Sequence, residues 1–373
     1  MRLGSNGSLA GGGFTLSSTA SFIENGSPVV LAGNAQIVDA ELAATSFNGA
    51  TLQLERSFDH TGGSGYYRED LYSGAGIVAG QASGTVTIAA TDIGTYTWSS
   101  GELVITFNAN ATQALVNQAM QAIAYSNSSD APYPAGVTIY WVFNDRNSTA
   151  QGTGGAKTIV GRTSVNITAV NDAPTSTDSR LTMNEDTVRV LTAADFGSFT
   201  DIDRDELSGI TITTLPAAGR LEYNSGTWSA VTLNQVISKA DIDAGKLRFT
   251  PVANAYGAAY ASIGFKVGDG TTESASAYTL TVNVSAVNDA PTSTDSSLTM
   301  DEDTVRALTA SDFGSFADID GNLLSGITIT TLPAAGALEY NSGTWSAVTL
   351  NQVISKADID AGKLRFTPVA NAY

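Results

Sequence analysis

Apolar and polar residues alternate along most of this chain in short runs. In YTLTVNVS, Tyr278, Leu280, Val282 and Val284 fall on one face and Thr279, Thr281, Asn283 and Ser285 on the other, which predicts a half-buried strand. The same reading sets Ile263, Phe265 and Val267 on one face of SIGFKVGDG, Leu247 and Phe249 on one face of GKLRFTP, and Val137, Ile139, Trp141 and Phe143 on one face of VTIYWVFND. Asn224-Ser225-Gly226, between RLEY and TWSAV, supplies a hairpin turn. Two stretches break the alternation. ATQALVNQAMQAIAYSN carries Leu115, Ala119 and Ala122/Ile123 at helix spacing, and ISKADIDAGK predicts one short turn capped by Ser238 and ended by Gly245. Seven or so strands per roughly 115 residues, with frequent turn signals, predict an all-β fold of immunoglobulin-like, Greek-key β-sandwiches in tandem.

The tandem order is written in the sequence. Shifting Val170 onto Val287 overlays Ala169–Tyr256 on Ala286–Tyr373 with nine differences: Arg180/Ser297, Asn184/Asp301, Val190/Ala307, Ala194/Ser311, Thr200/Ala317, Arg204/Gly321, Asp205/Asn322, Glu206/Leu323 and Arg220/Ala337. Near-identical units are the mark of an array. We expect a flexible segment over 1–20, a longer and diverged repeat 1 over 21–170, repeat 2 over 171–287 and repeat 3 over 288–373. Nothing overlays Gly257–Ala286 in repeat 3, so the last sandwich is read as C-terminally truncated and the chain as a fragment of something longer.

Composition narrows the chemistry. Across 373 residues there is no cysteine, hence no disulfide and no thiolate nucleophile or ligand. A net charge of −18, from 36 acidic against 18 basic residues, argues against a nucleic-acid partner and suits a divalent cation. No run of about 20 apolar residues occurs, and the N-terminus lacks the apolar core of a Sec signal. The one histidine, His60, sits in the glycine-rich DHTGGSG, so no His-based triad or HExxH zinc site is available, and no GxSxG, Walker or GxGxxG pattern appears. We therefore expect no enzyme, although spacing alone leaves paired glycosidase carboxylates open.

The stretch from Leu215 through Gly270, with its Leu-Pro…Gly-x-Leu hairpin, its DIDAGKLRF and its closing F-x-V-x-DG, resembles the chondroitin-sulfate-proteoglycan type of cadherin-like repeat. FIENGSPVVL…VDAEL…LVITFNANAT…AIAYSNSSDAP resembles the related repeats of large bacterial surface and type I secreted adhesins. The likeness covers nearly the whole chain beyond its first 20 residues. It implies an extracellular rod, secreted or cell-surface, that supports cell adhesion and holds calcium at its junctions. The chain departs from the family in three ways. The junction reads A-V-N-D-A-P, with Ala in place of the first Asp and one residue fewer. The D-R-E motif has only a loose candidate in Arg68-Glu69-Asp70. The Gly-rich nonapeptides of type I secreted proteins are absent.

Calcium takes six to eight oxygens from carboxylates, amides and carbonyls. Acidic pairs follow the junctions, Glu185-Asp186 and Glu302-Asp303, with Glu24 as the counterpart in repeat 1; alternating runs follow as Asp201-x-Asp203-x-Asp205, Asp318-x-Asp320-x-Asn322 and Asp39-x-Glu41. By analogy with cadherins, the first junction would draw on Glu24, Asn171, Asp172, Asp201, Asp203 and Asp269. The second would draw on Glu185, Asn288, Asp289, Asp318 and Asp320, and would be the weaker for lacking a counterpart of Asp269. The plain alternative is that these are turn residues bonding their own backbone. Asp241 and Asp243 read as helix-start residues.

Two other readings stay open. A metal-free structural stalk would use its acidity for solubility alone. A carbohydrate-binding module in repeat 1 would use Tyr66, Tyr67 and Tyr72, with a surface glycan or protein as partner. Trp98, Trp141, Trp228 and Trp345 read as packing residues before sugar platforms.

Overall fold

The structure, a computed structural model, describes residues 2–4, 16–56, 68–133, 136–146 and 156–371. His60, Tyr66 and Tyr67 lie outside the described residues. The chain forms two compact units. One comprises Met1–Ser176 with Ser198–Thr211 and Lys266–Ala277; the other comprises Thr177–Gly197, Ile212–Phe265 and Tyr278–Tyr373.

In the first unit, β1 (Arg2–Gly4) pairs with β4 (Gln36–Val38) ahead of a short helix α1 (Ala40–Ala44). A seven-stranded sheet runs in the order β2 (Ser17–Ile23), β12 (Thr158–Thr168), β11 (Val137–Asn144), β5 (Thr51–Arg56), β9 (Glu102–Phe107), β8 (Thr91–Ser99), β7 (Ser83–Ile88). A smaller sheet orders β3 (Val29–Val30), β10 (Ala124–Asn127) and β6 (Asp70–Ser73). The alternation in VTIYWVFN is realised in full, since Val137, Ile139, Trp141 and Phe143 are buried and Trp141 satisfies its indole N–H on Thr163 Oγ1 at 3.0 Å.

Three expectations are corrected here. The flexible segment ends early, because Leu16 is fully buried and Ser17–Ile23 lie in β2, paired in parallel with β12. Tyr72 faces the core, packed edge-on with Tyr125 at 6.3 Å, because its position on β6 is an inward one. The helix α2 (Gln113–Ala122) forms with Thr112 as its cap, but its buried stripe is Val116, Ala119 and Met120, with Leu115 only partly buried at the edge.

Repeat 2 packs two sheets. One orders β13 (Ser179–Asn184), β21 (Tyr278–Ser285), β20 (Gly257–Gly268), β15 (Gly209–Thr214) and β18 (Val236–Ser238); the other orders β14 (Arg189–Val190), β19 (Leu247–Thr250), β16 (Arg220–Asn224) and β17 (Trp228–Ala230). The turn between β16 and β17 is the expected one: Gly226 takes φ +125° and its N–H donates to Asn224 Oδ1 at 2.9 Å. Ser238 caps α3 (Lys239–Asp243), its hydroxyl accepting from the Asp241 N–H at 3.1 Å. Phe196, in a 3₁₀ turn, meets Phe265 of β20 edge-on at 5.1 Å.

Repeat 3 repeats one of these sheets as β22 (Arg306–Ala307), β27 (Leu364–Thr367), β24 (Ala337–Asn341) and β25 (Trp345–Ala347). Its other sheet is the pair β23 (Gly326–Thr328) and β26 (Val353–Ser355), followed by α4 (Lys356–Asp360). The chain is thus all-β, with tandem sandwich-like domains.

Candidate metal centre

The first and last strands of repeat 1 run parallel, Ile23 opposite Thr168, so the residue after β2 arrives where the junction begins. Glu24 is that residue. Its N–H donates to the Thr168 carbonyl at 2.9 Å, and its Oε2 accepts from the Val170 N–H at 2.7 Å. Its Oε1 is buried with no hydrogen-bond partner. Burial pushes the Glu24 carboxyl above the ordinary range, and the charges of Asp172, Asp203 and Asp130 push it further, against the Val170 bond that favours the ion.

The other predicted residues gather at the same end. The Asp172 N–H donates to Asp203 Oδ2 at 2.7 Å, and the Asn171 amide donates to Asp269 Oδ2 at 3.0 Å. Burial raises the Asp269 carboxyl, but the Asn171 amide and the N–H groups of Thr272 and Thr271 more than offset this and hold it down at about 2. Asp172 is pushed up by desolvation and by the charges of Asp203, Asp130 and Asp201. A cleft of about 390 Å³ is lined by Asp130, Asp172 and Asp201, among others. Asp172 Oδ2 and Asp201 Oδ2 are both buried and unpartnered.

The second junction repeats the scaffold. Glu185 N–H donates to Ser285 O at 3.0 Å, Glu185 Oε1 accepts from the Val287 N–H at 2.8 Å, and Glu185 Oε2 has no partner. Asp289 N–H donates to Asp320 Oδ2 at 2.6 Å. Asp318 Oδ1 accepts the N–H groups of Asp320 at 3.0 Å and Asn322 at 3.1 Å, and the Asn322 amide donates to Asn288 Oδ1 at 2.9 Å. Desolvation raises the Asp289 carboxyl, as do the charges of Asp186, Asp320 and Asp318.

Two residues at these ends were missed in the sequence, Asp130 and Asn254. They are equivalent by register: Leu31 N–H bonds Ile123 O and Leu191 N–H bonds Leu247 O, and each residue lies seven positions beyond that carbonyl. Oriented to donate, the Asn254 amide bridges Asp289 Oδ2 at 2.9 Å and Asp186 Oδ2 at 3.2 Å. The residue after the buried glutamate varies in step, Asn25 at the first junction and Asp186 at the second, both with positive φ. Each junction therefore has one amide and one carboxylate on this pair of positions, with the roles exchanged. The only sequence signal was that Asp130-Ala131-Pro132 echoes the Asp-Ala-Pro of the junction.

Other candidates have local roles. Asp70 lies buried on β6, accepting from Tyr125 OH and from the Asn127 amide at 2.9 Å, with Arg56 at 3.5 Å, so it serves the repeat 1 interior. Asp39 Oδ1 accepts the Leu42 N–H at the start of α1. Asp241 binds Lys246 at 2.6 Å and Tyr223 at 2.7 Å, and Asp243 pairs with Lys239 at 2.6 Å. Trp228 and Trp345 are partly exposed, each covered by a guanidinium, Arg248 or Arg365, at 3.9 Å.

Among the described residues no three acidic or histidine side chains stand close enough, as placed, to hold a metal ion. The donor types nevertheless fit a hard cation: carboxylates, an amide oxygen at Asn171 or Asn288, and carboxylate oxygens at Glu24, Asp172, Asp201 and Glu185 that are buried without a proton donor. A buried, unpaired carboxylate oxygen among like charges is costly.

Residues 170–285 match the family model described as a cadherin-like domain. Among solved structures, human CDH23 EC21-23 is 12% identical, with 95% of this chain and 99% of that one covered at a TM-score of 0.40. Mouse cadherin-23 EC22-24 is 12% identical, with 96% and 87% covered at a TM-score of 0.33. An endo-fucoidan hydrolase of glycoside hydrolase family 107 is 14% identical, with 80% and 37% covered at a TM-score of 0.20. Likenesses this faint carry nothing about function. No curated protein matches. The middle of the chain is nonetheless identified: residues 170–285 are a cadherin-like domain.

Proposed function

We propose that this chain is the calcium-binding repeat region of an extracellular adhesion protein, secreted or held at a cell surface, in which ions at the junctions fix one repeat to the next. The observation that carries this reading is the buried, unpartnered Glu24 Oε1 facing the charges of Asp172, Asp203 and Asp130, with the same arrangement at Glu185 and Asp289. Glu24, Asp130, Asn171, Asp172, Asp201, Asp203 and Asp269 would hold the first ion; Glu185, Asp186, Asn288, Asp289, Asp318 and Asp320 would hold the second. The ion would supply the positive charge that these oxygens lack and would tie the end of one sandwich to the linker and to loops of the next. The function is mechanical and associative, without catalysis.

Calorimetric melts in calcium and in EDTA test the proposal. A ligand bound only by the native state stabilises by mass action, about 2.7 kcal/mol when present at a hundred times its Kd. A midpoint that does not move would leave the metal-free stalk as the reading.

A further inference from the structure

The same sequence adopts two conformations in this chain. In repeat 2, Ser179–Asn184 form β13, paired in parallel with β21, which pairs in turn with β20. In repeat 3, Ser296–Asp301 overlay β13 with the same Leu and Met, yet they form no strand. Leu181 and Met183 are buried, whereas Leu298 and Met300 are only half-buried. Phe196 and Ile210 are each 1% exposed, whereas Phe313 and Ile327 are half-buried. β23 is three residues long where β15 has six. Among the described residues repeat 3 has nothing that overlays β20 and β21, the strands that cover this face in repeat 2. A groove of about 660 Å³ lies there, with Phe313, Phe316, Leu324 and Ile327 on its walls.

We propose that this face of repeat 3 is a docking site for an unpaired β-hairpin with the sequence Gly257–Ser285, offered by another polypeptide. None of the nine differences between the repeats falls on Leu298, Met300, Phe313 or Ile327, so the face matches the one this hairpin already fits. In repeat 2 the hairpin contributes Ile263, Phe265, Leu280 and Val282, all fully buried. Burying those four side chains again, while pairing an exposed sheet edge, drives the association. The register follows from repeat 2: Ser296 opposite Leu280 and Asp301 opposite Ser285, in parallel, as Ser179 and Asn184 are there. An intact second copy is not the donor, since withdrawing its hairpin would open one face for each face closed.

The test adds a synthetic peptide of residues 257–286 to the whole chain and follows amide hydrogen exchange. The expected result is saturable one-to-one binding with new protection at Leu298–Asp301 and Gly326–Thr328. A peptide carrying Phe265→Asp and Val282→Asp should bind at least about a hundredfold more weakly. Because the substitutions are in the peptide, the acceptor's own folding is not at issue. Absence of binding, protection confined to residues outside repeat 3, or equal binding of the substituted peptide would each overturn the proposal. So would protection of Leu298–Asp301 that grows with chain concentration alone, because a second copy would then be the occupant.

Discussion

Val170 donates its N–H to one oxygen of Glu24 over 2.7 Å, and the other oxygen of that carboxylate is buried beside it with no donor. The backbone thus positions a negative charge that the protein alone does not neutralise.

Glu24→Gln separates those two roles, because the amide oxygen can still accept from Val170 while the charge is gone. We expect the variant in EDTA to melt at or above the wild-type midpoint, since repulsion with Asp172 and Asp203 is relieved. In calcium it should lose most of the ion-induced shift of the first junction, on the order of 2 kcal/mol at saturating metal. A full calcium shift in this variant, read by calorimetry, would remove Glu24 from the site.

The exchanged positions at the two junctions make a second prediction. Asp130→Asn should weaken the first site alone, and Asn254→Asp should add a carboxylate to the second. Losing or gaining one charge ligand should move Kd about tenfold or more in opposite directions, as ligand charge count tunes calcium affinity. Isothermal titration of the two variants decides it; equal Kd values for both would show that the pair does not touch the ion.

Much of the architecture could be read from alternation alone, since period-two burial leaves a clear trace in strands such as Val137–Asn144. Ser238 and Gly226 were legible because caps and tight turns require particular residue types. The site was legible only where it follows the chain, at Glu24, the junction Asn-Asp pairs and the alternating Asp runs. Asp130 was not, because it reaches Asp172 through the pairing of β3 with β10, a register that no local pattern specifies. Tyr72 went the other way: a tyrosine-rich loop and a buried strand share the same letters, and only packing tells them apart.

The two environments of one phenylalanine give a third prediction. Phe196→Ala removes a ring that is 1% exposed and packed on Phe265, and should cost about 3–5 kcal/mol. Phe313→Ala, at the same repeat position but half-buried, should cost less than about half of that. Urea melts of both variants check the ratio; equal losses would mean that the face of repeat 3 is covered in solution.

Acid sensitivity should centre on the α3 hairpin staple. The Asp241 carboxyl is held down at about 2 by Lys246, then Tyr223 and Ser238, from an ordinary value of 3.8. A lowered folded-state pKa means that the stabilisation is present above 3.8 and is lost as pH falls from there towards 2. Asp241→Asn should therefore lower the midpoint of repeat 2 at pH 7, and the gap to wild type should close below about pH 3. A gap that stays constant from neutral to acid would show that the staple is sensed through packing and not through charge.

The parallel pairing of β13 with β21 also decides how repeat 2 bears load. A chain whose first and last strands run the same way enters at one end of the sandwich and leaves at the other. Tension along the array then slides β13 against β21, straining the six aligned positions from Ser179/Leu280 to Asn184/Ser285 together. An antiparallel pair pulled from one end would unzip bond by bond. With its load in shear, the repeat is built to hold under pull, and its rupture is set by the unfolding rate and not by equilibrium stability.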